Sequence, residues 1–218
     1  MDIKIEKAKV LKEKPDFNNL GFGKYFTDHM FMMNYTEGEG WHDARIVPFQ
    51  NLSLSPATAV FHYAQEMFEG LKAYRADDGS VRLFRPMENI KRMNTSAERM
   101  CLPQIPEEDM LEALLTLVRL EEDWVPSANG TSLYLRPFLF GNDETLGVHT
   151  IHNAKFIIIA SPVGAYYKEG LKPVSIYVED EYVRAVRGGV GFTKCAGNYA
   201  ASILAGDVAE QKGFSQVL

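Results

Sequence analysis

Two segments, 132–140 (SLYLRPFLF) and 155–163 (KFIIIASPV), constrain the fold of this 218-residue chain more than any other feature. Both have strand length, and the second is apolar from Phe156 to Ala160 without the polar alternation of a half-solvated strand. A strand of that kind is buried on both faces, so other layers must cover it. With 46% hydrophobic residues the chain can bury a sizeable core. The same apolar run is too short to cross a bilayer, and the opening MDIKIEKAKVLKEK has charges with no apolar stretch behind them, so neither a membrane span nor a secretory signal is expected. A net charge of -6 leaves no basic surplus for a nucleic-acid backbone. Two cysteines, Cys101 and Cys195, make neither a disulfide framework nor a metal site by themselves, and a reducing, cytoplasmic setting is inferred.

Around this pair the remaining elements fall into place. Residues 25–34 and 44–49 are rich in aromatic and β-branched types and read as strands. Ser55-Pro56 offers an N-cap and a first-turn proline, followed by Val60, Tyr63, Ala64 and Met67 at helical spacing, which predicts a helix over about 57–68. LKAYR and SVRLF flank Asp77-Asp78-Gly79 as a hairpin. Pro86 opens a helix to about Met100; Pro106-Glu107-Glu108 opens another, with Met110, Leu111, Leu114, Leu115 and Val118 as its buried stripe. Together these predict a small α+β domain over 1–164. A connection at 165–172 is rich in glycine and charge. Residues 173–218 then read as the beginning of a second, larger α/β domain, with a strand at 173–179 and a helix over about 199–212 closed by Gly213. The chain stops inside SQVL, which reads as a strand, so the expectation is that a longer protein is only partly represented and that these 218 residues alone are inactive.

The chemistry concentrates in RGGVGFTKCAGNYAAS, Arg187 to Ser202, where glycines and small residues surround one lysine just ahead of a helix. The spacing fails as a nucleotide loop, because no Gly-Lys-Ser/Thr follows and Gly189-Val190-Gly191 lacks its third glycine. The chemical alternative is a lysine in a closed site whose amine forms a Schiff base. A surface lysine in a glycine loop explains the segment equally well on its residues alone.

GGVGFTKCAGNYAAS resembles the cofactor-lysine segment of the branched-chain amino-acid aminotransferases, which are pyridoxal-phosphate enzymes of fold type IV. GFGKYFTDHMF at 21–31, FHYAQEMFEGLKAYR at 61–75, VRLFRPMENIKRM at 81–93, GTSLYLRPFLFG at 130–141 and SPVGAYY at 161–167 resemble the same family in the same order. The resemblance implies that Lys194 holds pyridoxal 5'-phosphate and shuttles the substrate's α-proton, that Tyr199 bonds the cofactor's phenolic oxygen, and that Arg92 meets its phosphate. Tyr199 as ordinary core and Arg92 as a solvated helix residue are the bland alternatives; Arg99 is rejected for the phosphate role. Tyr63, Phe68, Tyr134, Arg136, Val148 and Tyr166 match substrate-side positions. Arg136 is expected on the strand face opposite Tyr134 unless the strand bends, and is equally compatible with a buried salt bridge. Glu69 and the Asp28-His29 pair are read as structural. The other histidines show no ligand spacing, and no metal is expected.

The activity so implied is ping-pong transfer of the amino group from L-leucine, L-isoleucine or L-valine to 2-oxoglutarate, giving branched-chain oxoacids and L-glutamate. The family is dimeric, so a homodimer is implied, with Val148 reaching the neighbour's pocket. The rival readings are a D-amino-acid aminotransferase or aminodeoxychorismate lyase on the same scaffold, or a non-catalytic protein that binds vitamin B6 or an amino acid. FTDHMF and GTSLYLRP argue against the first two, and Lys194 among small residues argues against the third.

Overall fold

The computed structural model describes residues 1–164 and 172–218. Its strands and helices, in chain order, begin with β1 (Lys4–Ile5), β2 (His29–Thr36), β3 (Gly40–Pro48), α1 (Ala59–Tyr63), β4 (Glu66–Phe68), β5 (Leu71–Arg75) and β6 (Val81–Leu83). They continue with α2 (Pro86–Arg99), α3 (Glu107–Leu120), β7 (Ser132–Gly141), β8 (Asn153–Val163), β9 (Ile176–Tyr177), α4 (Ala196–Ala200), α5 (Ile203–Gln211) and β10 (Gln216–Val217). One eight-stranded sheet runs β1-β3-β2-β8-β7-β5-β6, with β4 also paired to β7. All its pairings are antiparallel except β1 with β3. The two segments singled out from sequence are its centre: β7 and β8 pair over ten residues, Ser132↔Val163 to Gly141↔Ala154.

Strand β8 shows why its sequence lacks alternation. Phe156, Ile157 and Ile158 are all fully buried, because both faces of the sheet are covered there. On one face Phe31, Ile46, Leu133, Leu135, Phe156 and Ile158 pack against Ile90 and Met93 of α2 and Leu114 and Leu117 of α3 in the main core. On the other, Met30, Met32, Val47, Phe140 and Ile157 form a smaller cluster. Each aliphatic side chain so buried contributes roughly 1.5–3 kcal/mol. Tyr134 and Arg136 alternate with Leu133 and Leu135 along β7 and so project on this second face.

The hairpin, α2 and the start of α3 form as expected, and Gly79 makes the hairpin turn at φ +80°. The stripe of α3 is rotated slightly from expectation: Ala113 and Leu117 are buried, while Leu111 and Leu115 are only half-buried. The strand expected over 25–34 lies at His29–Thr36, and three further segments need correction. The helix expected over 57–68 is only the five residues of α1. Its side-chain cap is missing because Ser55 and Thr58 spend their groups on a turn, Thr58 Oγ1 donating to the Ser55 carbonyl at 2.7 Å. Ala64 then turns left-handed (φ 48°), and Glu66–Phe68 pair with Phe138–Phe140, a partner too distant in sequence for local periodicity to reveal. The expected strand at 173–179 shortens to β9, which pairs in parallel with β10. The expected helix over 199–212 is two helices, α4 and α5, separated at Ala201-Ser202; Gly213 follows the second at φ +83°.

Candidate functional site

The site forms at the break between β4 and β5. Strands β4 and β5 lie in succession along the same side of β7, with only Glu69-Gly70 between them. Gly70 is required there: a Cβ would overlap the Tyr134 hydroxyl, whose ring lies over the break. The break also sends neighbouring side chains to different places. Met67 is fully buried in the main core, Phe68 faces the site, and Glu69 is buried toward α2.

The lysine segment is attached to this break. Phe68 N–H donates to the Lys194 carbonyl at 3.0 Å, Met67 bridges Cys195, and Lys194 N–H donates to Ser96 Oγ of α2 at 3.2 Å. Two of its glycines, Gly189 and Gly191, are packed closely against the chain, whereas Gly188 and Gly197 have open space beside them. A side chain at Gly191 would overlap Ala185, and Asn198 Nδ2 ties the loop by donating to the carbonyls of Val190 and Thr193. The Lys194 side chain is thereby set down beside Phe68 and Tyr199. Its Nζ donates to the Tyr199 hydroxyl at 2.8 Å, lies 4.7 Å from the centre of the Phe68 ring, and makes no ion pair among the described residues. Phe68 and Tyr199 are themselves in ring contact at 4.7 Å.

Arg92, on α2, is the adjacent cation. It is bound twice to Glu69, Nε to Oε1 at 2.6 Å and Nη2 to Oε2 at 2.9 Å, and the bond to Glu69 holds the guanidinium's pKa above its ordinary value. Asn89 Nδ2 and Gly70 N–H also donate to Glu69, which is 1% exposed, whereas the Arg92 side chain is 53% exposed. Glu69 therefore anchors and aims Arg92 rather than facing a ligand. Arg99 points elsewhere, donating a long bond of 3.4 Å to the Gly188 carbonyl.

On the other side of Phe68, Arg136 lies 4.2 Å over the ring and donates to the Tyr134 hydroxyl through Nε at 3.2 Å and Nη2 at 3.0 Å. The expectation that Arg136 and Tyr134 face apart is wrong, because residues two apart on a strand share a face. Nor does Arg136 make a salt bridge among the described residues. Glu66 is its acidic neighbour, a carboxyl that burial pushes above its usual range while Arg136 opposes the shift. Tyr134 and Arg136, with Phe22, Phe26, Ile159 and Ser161, line a cavity of about 220 Å³. Phe22 packs on Tyr134 at 5.0 Å between ring centres. Sequence reasoning missed Phe22, which lies within GFGKYFTDHMF but outside any regular element. Ser161 and Ser132 are buried, and their hydroxyls find no hydrogen-bond partner among the described residues.

Of the residues expected from sequence, Lys194, Tyr199, Phe68, Arg92, Tyr134 and Arg136 thus come together around one break. Tyr63 and Val148 do not join them. They line a separate hollow with Gln65, Arg99 and His149, where the Tyr63 hydroxyl donates to the Leu146 carbonyl and Val148 is 83% exposed. Tyr166 lies outside the described residues.

No family model matches the chain. Among curated proteins it is 56% identical over 216 residues to branched-chain-amino-acid aminotransferase 2 and 59% identical over 217 residues to branched-chain-amino-acid transaminase 1, both of Bacillus subtilis (strain 168). A probable branched-chain-amino-acid aminotransferase of Staphylococcus aureus (strain MRSA252) is 57% identical over 217 residues. Each match covers 99% of this chain but only 60% or 61% of the relative, so the chain spans about three fifths of the length of these relatives. Among solved structures it resembles the branched-chain aminotransferase of Thermoproteus uzoniensis with norvaline, at TM-score 0.70 and 21% identity over 87% of this chain and 59% of that one. It also resembles the branched-chain amino acid aminotransferase of Thermobaculum terrenum in its PLP form, at TM-score 0.65 and 19% identity over 86% and 57%. The chain therefore has the fold of these enzymes, in line with the fold-type IV expectation.

Proposed function

We propose that this chain, a homologue of the branched-chain amino-acid aminotransferases along nearly its whole length, serves their reaction: transfer of the amino group of L-leucine, L-isoleucine or L-valine to 2-oxoglutarate, in two half-reactions, with pyridoxal phosphate as cofactor. The observation that carries this reading is the Lys194 amine, without a carboxylate partner among the described residues, held between the Tyr199 hydroxyl and the Phe68 ring. These residues fit the cofactor: an amine to hold an aldehyde, a phenol beside it, and in Arg92 a half-exposed guanidinium already aimed by a buried carboxylate. The cofactor, when bound, supplies the electron sink for the substrate's α-carbon.

The chain's own groups supply orientation and proton transfer. Lys194 is the base that takes and returns the α-proton at Nζ, and the hydroxyl of Tyr199 keeps that nitrogen pointed into the site. Phe68 fixes the floor between Lys194 and Arg136. The walls of the cavity, Phe22, Phe26 and Ile159, favour a branched aliphatic side chain by roughly 0.8 kcal/mol per methylene buried. Arg136, with Tyr134, is placed to meet the second carboxylate of 2-oxoglutarate. Val148 completes the substrate side of the neighbouring subunit in a homodimer, together with Tyr63, which shares its hollow, and Tyr166 belongs to the same wall; the exposure of Val148 supports that assignment. The division into a small domain over 1–164, a connection over 165–172 and a cofactor-binding domain beginning at 173 belongs to the same reading. Among the described residues no helix is long and apolar enough to cross a membrane, and both cysteines are free; we place the protein in the cytoplasm.

The test uses the full-length protein loaded with pyridoxal phosphate. L-leucine, added without an oxoacid, should change the cofactor's visible absorbance to that of its aminated form, and D-alanine should not. Lys194→Ala should abolish the response. A response to D-alanine alone, or no cofactor band at all, overturns the reading in favour of a D-amino-acid enzyme or a cofactor-free binding protein respectively.

A further inference from the structure

The loop between β7 and β8 gathers three donors that their sequence spacing did not flag. One ligand atom each from Asp143, His149 and His152 lies within 4.8 Å of the others. The imidazoles of His149 and His152 are 5.2 Å apart between ring centres, and His149 Nδ1 is 3.7 Å from Asp143 Oδ2. None of the three belongs to the Lys194 cluster.

Their surroundings prepare them in different ways. Asp143 is buried and fixed: Oδ1 accepts from Asn153 N–H at 2.7 Å and from Asn153 Nδ2 at 2.9 Å, while Oδ2 accepts the His152 N–H at 2.9 Å. Oδ2 also has the His149 ring beside it, at 3.7 Å from Nδ1. His149 Nδ1–H donates to the Thr150 carbonyl at 2.7 Å, which leaves Nε2 as the lone-pair nitrogen. An imidazole N–H on a backbone carbonyl is the outer contact that fixes a metal-binding histidine's tautomer. The exposed Glu37 carboxylate stands 3.9 Å from His152 Nδ1, beyond hydrogen-bond distance.

We propose that Asp143, His149 and His152 form a binding site for one borderline divalent transition-metal ion of the zinc class. Two imidazoles and one carboxylate suit such an ion, whereas calcium and magnesium call for all-oxygen shells. Bonds of about 2.0–2.2 Å require the donors to draw closer together than their present spacing. The half-exposed His149 and exposed His152 can make that movement by side-chain rotation, while Asp143 stays fixed. Three protein ligands leave a fourth position for water or for a group from another molecule. Because the donors come from both ends of the 143–152 segment, the ion clasps the loop that carries Val148. The inference is independent of the aminotransferase reading.

The probe is Zn²⁺ alone, titrated into full-length, tag-free, metal-stripped protein in competition with a chromogenic chelator. The expected result is one zinc per chain, weakened at least about tenfold by His149→Ala and by His152→Ala, with thermal unfolding of the zinc-free variants unchanged. Zinc should also slow amide exchange across 143–153 in the unsubstituted protein and not in the double variant. Zinc uptake that survives the double substitution, or is lost in Cys101→Ser, overturns the proposal, as does the absence of stoichiometric uptake.

Discussion

Among single residues, the Arg92–Glu69 pair shows how burial on one side only makes a contact directional. Glu69 is buried and takes four donor hydrogen bonds, two from Arg92 and one each from Asn89 and Gly70, whereas half of the Arg92 side chain remains in water. Removing the arginine strands a buried charge; removing the carboxylate frees a guanidinium that water can solvate. We therefore predict unequal costs. Arg92→Ala should lower unfolding stability by about 2–3 kcal/mol, discounted from the value for a fully buried pair because of Arg92's exposure. Glu69→Gln should cost less in stability but weaken affinity for pyridoxal phosphate, since Arg92 is then no longer aimed. Urea denaturation and cofactor titration of the two variants separate these effects, and equal stability losses would show that Glu69 does not act as the anchor.

Among the elements, the β7–β8 connection is organised by one carboxylate. Asp143 caps the start of β8 through the amides of His152 and Asn153, and the carbonyl of the same residue accepts the N–H of Ala59 at the start of α1. Burial raises the Asp143 pKa, but those hydrogen bonds outweigh burial and lower it below the ordinary 3.8. A carboxyl whose folded-state pKa is depressed contributes stability that is fully present above its unfolded value and is lost as pH falls through the folded value. Asp143→Asn should accordingly be less stable than the parent at neutral pH, with the gap narrowing as pH drops below about 3.8. Chemical denaturation midpoints across that range check the sign; a gap that is constant with pH would assign the loss to packing instead.

Across the whole molecule, a buried polar network ties the N-terminal segment to the sheet and to the end of α3. Ala8 N–H donates to His29 Nε2, so His29 Nδ1–H must be the donor to Glu121. Glu121 also accepts Asp28 N–H, and Asp28 accepts Lys12 N–H at 2.7 Å and Trp124 Nε1–H at 2.7 Å. Burial raises the Glu121 pKa, and the bond from His29 works against that rise. The Asp28-His29 pair, tempting in sequence as acid/base machinery, is therefore a structural joint. Trp124→Phe keeps an aromatic ring but leaves Asp28 Oδ2 without its donor, and should cost about 1–3 kcal/mol. Loss of protection from amide exchange should then appear in residues 8–12 as well as around Trp124; a loss confined to Trp124 would mean that the joint does not transmit.

Local patterns and contiguous motifs encode one part of this protein directly. The unbroken apolar run of β8, the proline-opened α2 and α3, the Asp-Gly hairpin, and the lysine among small residues are all legible in the chain, because each depends on a few consecutive residues. Long-range packing fixes what depends on partners remote in the chain. It ends α1 at Ala64, because Glu66–Phe68 gain more by pairing with β7 than by continuing a helix. It turns Glu69 from an ordinary acid into the support of Arg92, and it draws Phe22 from an irregular segment onto Tyr134. It also brings Asp143 to His149 and His152, whose sequence spacing gives no sign of a shared ligand. Hydrogen bonding and burial act through space, and only the assembled sheet brings such residues within their range.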